Sequence, residues 1–224
     1  MPDDVRLTRV LPVPVPIDPS GFPFIFGALA VAAGLGAWLG VFVALPFLVL
    51  AGFFTFVFRD PERRTPAAAT AADVLSPADG TVLVAGAPTA DAAPPGSWKQ
   101  ISIFLSPMDV HVNRVPASGR VTRVVLTRGR FLPAYHHDAA TANERSEIWI
   151  EHAGQTVVAR QIVGILARRV VCRAATGMKV HAGDRYGIMK FGSRMDVFVP
   201  RAATINVEVG QMVRGGETVI AVLH

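Results

Sequence analysis

Two adjacent residues, Gly192 and Ser193, carry the strongest chemical signal in the sequence. They lie in the run Tyr186-Gly-Ile-Met-Lys-Phe-Gly-Ser-Arg-Met-Asp-Val-Phe-Val-Pro200. The apolar residues on either side predict strand, and a glycine inside a strand gives nothing to pack. Glycine does permit a tight or strained turn of the backbone. A serine hydroxyl directly after such a turn can reach the carbonyl carbon of the preceding residue. The chemistry would be attack of Ser193 on Gly192, so that the chain cuts its own backbone and makes its own electrophile. Such a cut needs a general base, because a neutral hydroxyl is a weak nucleophile. It needs a group, usually a carboxylate, that orients the base, and donors where the oxyanion develops. Attack by the adjoining residue is intramolecular, which is worth about 7–11 kcal/mol in well-oriented cases.

Among six histidines, His111 is the best candidate base. It sits in Leu105-Ser-Pro-Met-Asp-Val-His-Val-Asn-Arg114, where a strand would place it on one face with Asp109 and Asn113. A single strand histidine is as readily structural, and the serine elsewhere is what favours the base. His136 and His137 adjoin Asp138 in a loop, His152 and His181 fall at turns, and His224 ends the chain. No spacing among them is that of a metal site, and no metal is expected.

Asp79 lies in Pro77-Ala-Asp-Gly80-Thr-Val82, which is echoed by Pro116-Ala-Ser-Gly119-Arg-Val121. Ser118 stands where the first copy has Asp79, so the turn does not demand a carboxylate and Asp79 is open to another task. The plain alternative is an Asp-Gly turn, and these residues alone leave the two balanced. Asn143-Glu-Arg145 either lines a pocket or forms a solvated turn. Arg168 and Arg169, adjacent in an apolar run, would face opposite sides of a strand. Arginine suits bidentate phosphate binding, which makes Arg168, Arg169 and Arg194 candidates for an anionic substrate.

Several elements must position these residues. From Phe22 to Phe58 no residue is charged, well beyond the roughly 20 residues that cross a bilayer. Glycines at 34, 36 and 40 divide the stretch into two expected helices, 22–38 and 41–58. Arg6 and Arg9 precede it and Arg59, Arg63 and Arg64 follow. A hairpin, a deeply inserted pair and one tilted helix with an interfacial extension all fit the stretch; basic residues at both ends favour the hairpin, with both termini in the cytoplasm. Residues 1–65 thus read as an extension and membrane anchor, and 66–224 as the catalytic domain. In the latter, short apolar runs punctuated by Gly, Pro and Asp predict a mainly β fold, a flattened lipoyl-like barrel or a sandwich. The expected strands include Gly164–Cys172, Tyr186–Phe191 and Ile205–Val209, with a short helix at 138–143. A second echo, Gly177-x-x-Val180-x-x-Gly183 against Gly210-x-x-Val213-x-x-Gly216, suggests pseudo-symmetry. The net charge of +5 comes almost wholly from arginine, which suits anionic partners such as phospholipid headgroups. Cys172 is the only cysteine, so no disulfide forms within the chain. The pattern around it reads as a small buried side chain.

The ordered set of segments resembles the phosphatidylserine decarboxylase family, in its short, membrane-anchored prokaryotic form. The matching segments are Phe58-Arg-Asp-Pro-Glu-Arg63, Ser76-Pro-Ala-Asp-Gly80, Phe104 to Arg114, Asn143-Glu-Arg145, Val163 to Arg169 and Arg185 to Pro200. The resemblance implies a pyruvoyl enzyme of the inner membrane, its catalytic domain facing the cytoplasm. Cleavage between Gly192 and Ser193 would give fragments 1–192 and 193–224, held together as a heterodimer, with a pyruvoyl group derived from Ser193. It implies an Asp79, His111 and Ser193 triad for maturation. It further implies decarboxylation of phosphatidylserine to phosphatidylethanolamine through a Schiff base, with no metal and no nucleic acid partner. Longer members carry a second histidine three residues after the first. Here that position is Arg114, so either His111 serves in both maturation and turnover or another group donates the proton.

Other readings stand beside this one. Ile188-Met-Lys-Phe191 resembles the lysine hairpin of a biotinyl or lipoyl carrier, which would make Lys190 the cofactor site of a membrane-tethered carrier. A pyruvoyl decarboxylase acting on a small amino acid or an archaeal-type ether lipid is the third. Pairing of exposed sheet edges into a homo-oligomer is compatible with all of them.

Overall fold

The computed structural model describes residues 17–89, 92–136, 138–165 and 169–224. Contacts divide the chain into two units, one closing at Glu62 and the other beginning at Arg63.

The first unit is a pair of apolar helices, α1 (Phe22–Leu39) and α2 (Val41–Val57). Gly40 takes φ +98 and turns the chain between them, a conformation that favours glycine. The helices run antiparallel. Phe24 near the start of α1 meets Phe54 and Phe58 near the end of α2, and Gly36 lies against Ala44. The segment Pro19–Leu39 is long and apolar enough to cross a membrane. Arg59 folds back over Phe56, with its guanidinium carbon 3.8 Å from the ring centroid.

The second unit is mainly β, as expected. In chain order its elements are β1 (Asp73–Leu75), β2 (Gly80–Gly86), β3 (Trp98–Leu105), β4 (Val112–Arg114), β5 (Gly119–Thr127), α3 (Ala139–Ala142), β6 (Arg145–His152), β7 (Gln155–Val163), β8 (Val170–Cys172), β9 (Lys179–Val180), β10 (Arg185–Met189), β11 (Ser193–Pro200), β12 (Thr204–Ile205), β13 (Met212–Val213) and β14 (Val219–Val222). An eight-stranded sheet has the order β13-β2-β3-β11-β7-β6-β5-β9, beside the three-stranded sheets β4-β10-β8 and β1-β14-β12. No barrel closes among the described residues. The core draws on all three sheets, with Ile103, Ile148 and Val197 from the large one, Tyr186 from β10 and Ile220 from β14.

The two sequence echoes belong to one structural repeat. Gly80 opens β2 and pairs with Val213; Gly119 opens β5 and pairs with Val180. At both glycines a Cβ would overlap a carbonyl of the adjoining strand, of Phe104 and of Glu151 respectively. The echoed glycines make matching bonds, from Gly210 N–H to the Val82 carbonyl and from Gly177 N–H to the Val121 carbonyl. Each half of the large sheet is thus capped by the same turn-and-strand unit, and β11 lies between the halves.

Some expected strands are shorter. Among the described residues of the run 164–172 the strand is Val170–Cys172, so Arg169 precedes it and is exposed. The argument that the two arginines face opposite sides of a strand therefore lapses, and Arg168 lies outside the described residues. Phe191 leaves β10 for a turn, and β12 ends at Ile205. Cys172 is half-buried rather than buried.

Candidate active site

Ser193 begins β11, the strand hydrogen-bonded to both β3 and β7, where it pairs with Leu105 and Val163. Its odd-numbered neighbours Met195, Val197 and Val199 face the core. β11 is buried on both faces, and strand alternation places the fully buried serine on the face shared with these core residues, at the end of the sheet. Its hydroxyl has no hydrogen-bond partner among the described residues. A buried polar atom left unpaired costs about 1–3 kcal/mol, which makes this one a candidate for a task beyond stability.

The turn before it is strained. Phe191 has φ +58 and Gly192 φ +80. Glycine accepts this region freely, whereas for a bulky residue such as phenylalanine it is an outlier costing about 1–3 kcal/mol. The strain sits where the chain passes from β10 in a small sheet to β11 in the large one.

His111 precedes β4 and is fully buried. Its carbonyl accepts from Met189 N–H at 3.2 Å, which ties it to the end of β10. Its Nε2 accepts the Gly192 N–H at 3.3 Å. A nitrogen that accepts carries no proton, so Nε2 is the ring atom able to act as a base, and it already touches the peptide unit preceding the scissile bond. The strand expected through His111 starts one residue later. Asp109 lies outside it in a turn, where it accepts Ser106 N–H at 2.7 Å.

The Gly192 carbonyl rests on Gly164. A Cβ at 164 would overlap that oxygen and would come within 3.4 Å of the Ala134 Cβ. Asn143 secures this seat. Its Nδ2 donates to the carbonyls of Val163 and Leu132, both at 2.8 Å, and its Oδ1 accepts Leu132 N–H at 2.9 Å. With both amide hydrogens used, Asn143 clamps backbone rather than offering a group to a substrate. Beyond it, buried Gln161 donates to Asn113 Oδ1 at 2.8 Å.

Asp79 is bound by residues other than His111. Its Oδ2 pairs with Arg63 at 2.7 Å and its Oδ1 accepts Gly215 N–H at 2.8 Å. Neither oxygen is hydrogen-bonded to His111. Its counterpart Ser118 accepts Ala182 N–H at 3.0 Å, the same turn bond in the other repeat. The turn reading therefore accounts for one oxygen of Asp79, and the Arg63 pair is what the carboxylate adds. Arg63, one of the basic residues that follow the apolar stretch, also bonds Glu217 at 3.0 Å and belongs to the second unit.

Arg194, on the opposite face of β11 from Ser193, is buried. It donates to Asp196 at 2.7 Å and to Ser102 at 3.0 Å, so it is committed to an internal ion pair. Nearby Arg160 pairs with Glu147 at 2.9 Å, and burial pulls its guanidinium below the usual range. Arg114 donates to the Gly183 carbonyl at 3.0 Å. Lys190 is half-buried in the turn before Gly192. No group of three or more His, Cys, Asp or Glu side chains suited to a metal ion occurs among the described residues.

The structure thus brings Gly192, Ser193 and His111 together, binds Asp79 and Arg194 to other partners and leaves Arg169 exposed. Sequence reasoning passed over Gly164, Arg63 and Gln161. The signal for Gly164 was a glycine at a strand end, which often marks close approach of another backbone.

Comparison with known proteins adds an independent finding. The sequence profile described as phosphatidylserine decarboxylase matches residues 50–221. The phosphatidylserine decarboxylase proenzyme of Geobacter metallireducens is 40% identical over 214 residues, covering 93% of this chain and 97% of the relative. That of Salinibacter ruber is 44% identical over 195 residues, covering 87% and 85%. That of Mycobacteroides abscessus is 42% identical over 212 residues, covering 93% and 88%.

Proposed function

The chain belongs to the phosphatidylserine decarboxylase family, and from that premise we propose that it matures by cutting itself between Gly192 and Ser193. The observation that carries this reading is the buried, unpartnered Ser193 hydroxyl, set directly after two left-handed residues. Membership of an enzyme family also sets aside the carrier role for Lys190.

In the proposed maturation, His111 Nε2 takes the Ser193 hydroxyl proton and Oγ adds to the Gly192 carbonyl carbon. Collapse breaks the C–N bond, the proton passes to the Ser193 nitrogen, and an ester joins the two segments. Removal of the Ser193 Cα proton then expels the Gly192 carboxylate from Cβ. The dehydroalanine left behind tautomerises and takes up water, releasing ammonia. Relief of the Phe191 and Gly192 backbone favours the cut, since the new chain ends escape the left-handed turn.

The residues present fit a pyruvoyl group made in place. The precursor hydroxyl is orphaned, and the seat at Gly164 has no side chain to obstruct the carbonyl. Such a group supplies an electrophilic carbonyl and an electron sink for the pair left when CO2 departs. His111 Nε2, beside the same end of β11, holds or returns the proton in turnover. Arg114, occupied with the Gly183 carbonyl, is not the donor. The role of Asp79 is to fasten Arg63 and the 214–217 turn, and through them the β4 region. Arg168 lies outside the described residues, and Arg194 is held in an internal ion pair; exposed Arg169 has no hydrogen bond among the described residues and is the arginine we assign to the lipid phosphate. Arg169→Glu should raise the KM for the lipid severalfold and leave cleavage unchanged; an unchanged KM removes it.

The fragments 1–192 and 193–224 would remain a heterodimer, because β11 is paired on both edges with strands of the larger fragment. The apolar helices would hold the enzyme in the inner membrane, with Arg59 and Arg64 favouring a cytoplasmic catalytic unit. The test is CO2 release from carboxyl-labelled phosphatidylserine. Wild type releases label and Ser193→Ala does not; release by the alanine variant contradicts the proposal.

A further inference from the structure

Three separate loops converge on the Gly192–Ser193 peptide, and each displays a large apolar side chain to solvent. Pro107 lies 3.8 Å from where a Cβ on Gly192 would be, and its neighbour Met108 is 58% exposed. Gly164 touches the Gly192 carbonyl, and its neighbour Ile165 is 54% exposed. Ala134 lies beside the same point, and its neighbour Tyr135 is 67% exposed. Tyr135 is propped edge-on against Phe104, with ring centroids 6.1 Å apart, so its ring has a fixed support at the end of β3. Scattered exposed apolar residues need no explanation, but several gathered around a reacting centre mark an interaction surface. The loop that carries Tyr135 also exposes Phe131 and the cations Arg128 and Arg130. Apolar tips flanked by arginines suit an anionic bilayer surface, where apolar side chains enter the interface and basic groups meet the headgroups.

We propose that Met108, Tyr135 and Ile165 form a rim that dips into the surface of an anionic phospholipid bilayer and opens the site at Ser193 toward the headgroup layer. The inference rests on the reading that the substrate is phosphatidylserine. It goes beyond it in giving the catalytic unit a membrane contact of its own, separate from the apolar helices.

The test has two arms. In the first, the full-length Ser193→Ala, Cys172→Ala chain carries single cysteines at 108, 135 or 165, or at exposed Arg201 as reference, each labelled with an environment-sensitive fluorophore. The protein is reconstituted in vesicles of phosphatidylcholine and phosphatidylserine with doxyl-labelled lipid. The three rim probes should lose most of their emission and the probe at 201 should keep it. No quenching at the rim, equal quenching at all four positions, or crosslinks joining two copies through the rim would each overturn the proposal. This arm needs no catalysis, so it stands even if the decarboxylase reading fails.

In the second arm, Met108→Glu and Ile165→Glu are introduced into the wild-type chain. Each should slow turnover of bilayer phosphatidylserine by about tenfold, the effect of losing one buried apolar side chain. Each should leave self-cleavage and turnover of monomeric short-chain phosphatidylserine unchanged. Equal loss on both lipids would make the residues part of the site rather than of a rim, and no loss on either would also contradict the proposal. No CO2 from either lipid with the wild-type chain would instead sink the decarboxylase reading.

Discussion

A methyl group at Gly164 would collide with the Gly192 carbonyl oxygen, so Gly164→Ala must displace the atom next to the bond that breaks. A misplacement of about 1 Å can cost on the order of 10²-fold in rate, and self-cleavage of the purified proenzyme should slow by about that factor. A gel time course reads the rate, and thermal unfolding on the Ser193→Ala background checks that the fold survives. Cleavage at the normal rate in a folded Gly164→Ala chain would mean that the carbonyl does not rest there. Gly192 differs, since a Cβ on it finds only ordinary contacts at 3.8 Å. Its requirement is conformational, through φ +80. At this scale the sequence singled out Gly192, Ser193 and His111, which the structure places next to one another, because a Gly-Ser pair between apolar runs and a polar motif with one histidine are local patterns. It was a poor guide to Asn143 and Arg194. Both are polar residues of a kind that bind ligands. Asn143 is claimed by the backbone of Leu132 and Val163, which lie on other elements, while the partner of Arg194 is Asp196, two positions along the same strand face.

At the scale of elements, the repeated turn explains what Asp79 does that Ser118 does not. Both close a turn through a backbone N–H, and only Asp79 also holds Arg63. The Arg63 and Asp79 side chains are only 10% and 16% exposed, so the pair escapes most of the screening that weakens surface bridges. A double-mutant cycle with Arg63→Met and Asp79→Asn, read by urea unfolding of the Ser193→Ala chain, should give a coupling of about 1–3 kcal/mol. Additive effects would contradict the assignment. A second element-level test concerns β10, where Tyr186 is fully buried and its hydroxyl donates to the Met195 sulfur at 3.7 Å. Burial, helped by nearby Cys172, lifts the phenol well above its usual range. An unfolded tyrosine ionises near pH 10 while the folded one resists. The contribution is therefore complete below about pH 10 and is lost as pH rises toward the folded value. The urea midpoint should fall above that pH, and Tyr186→Phe should flatten the fall; parallel curves would show that Tyr186 does not carry it. Most strands were legible as apolar runs between turn residues. The short β1, β9 and β13 were not, since two or three residues leave no period to detect, and β4 was expected only as part of a longer strand through His111. The echoed motifs did reveal the repeat, although only the strand register joined the two echoes into one unit.

For the whole molecule, the place of β11 between β3 and β7 predicts that cutting one peptide bond does not release the smaller fragment. The bonds of β11 to both neighbours, together with those of β14 to β1 and β13 to β2, all cross between the two fragments. After cleavage the fragments should co-purify and separate only at urea concentrations that unfold the sheet; dissociation in native buffer would contradict this arrangement. The mainly β class and the apolar helices followed from composition and periodicity. The order of eight strands did not, because it is set by pairings between distant residues. The measurement that tests the central claim most directly is the mass of the purified wild-type chain, taken alongside Ser193→Ala. The account predicts two species for wild type, one ending at Gly192 and one beginning at position 193 with a blocked, pyruvoyl-bearing end, and a single full-length species for the variant. A wild-type chain that stays whole while it releases CO2 from phosphatidylserine would contradict it.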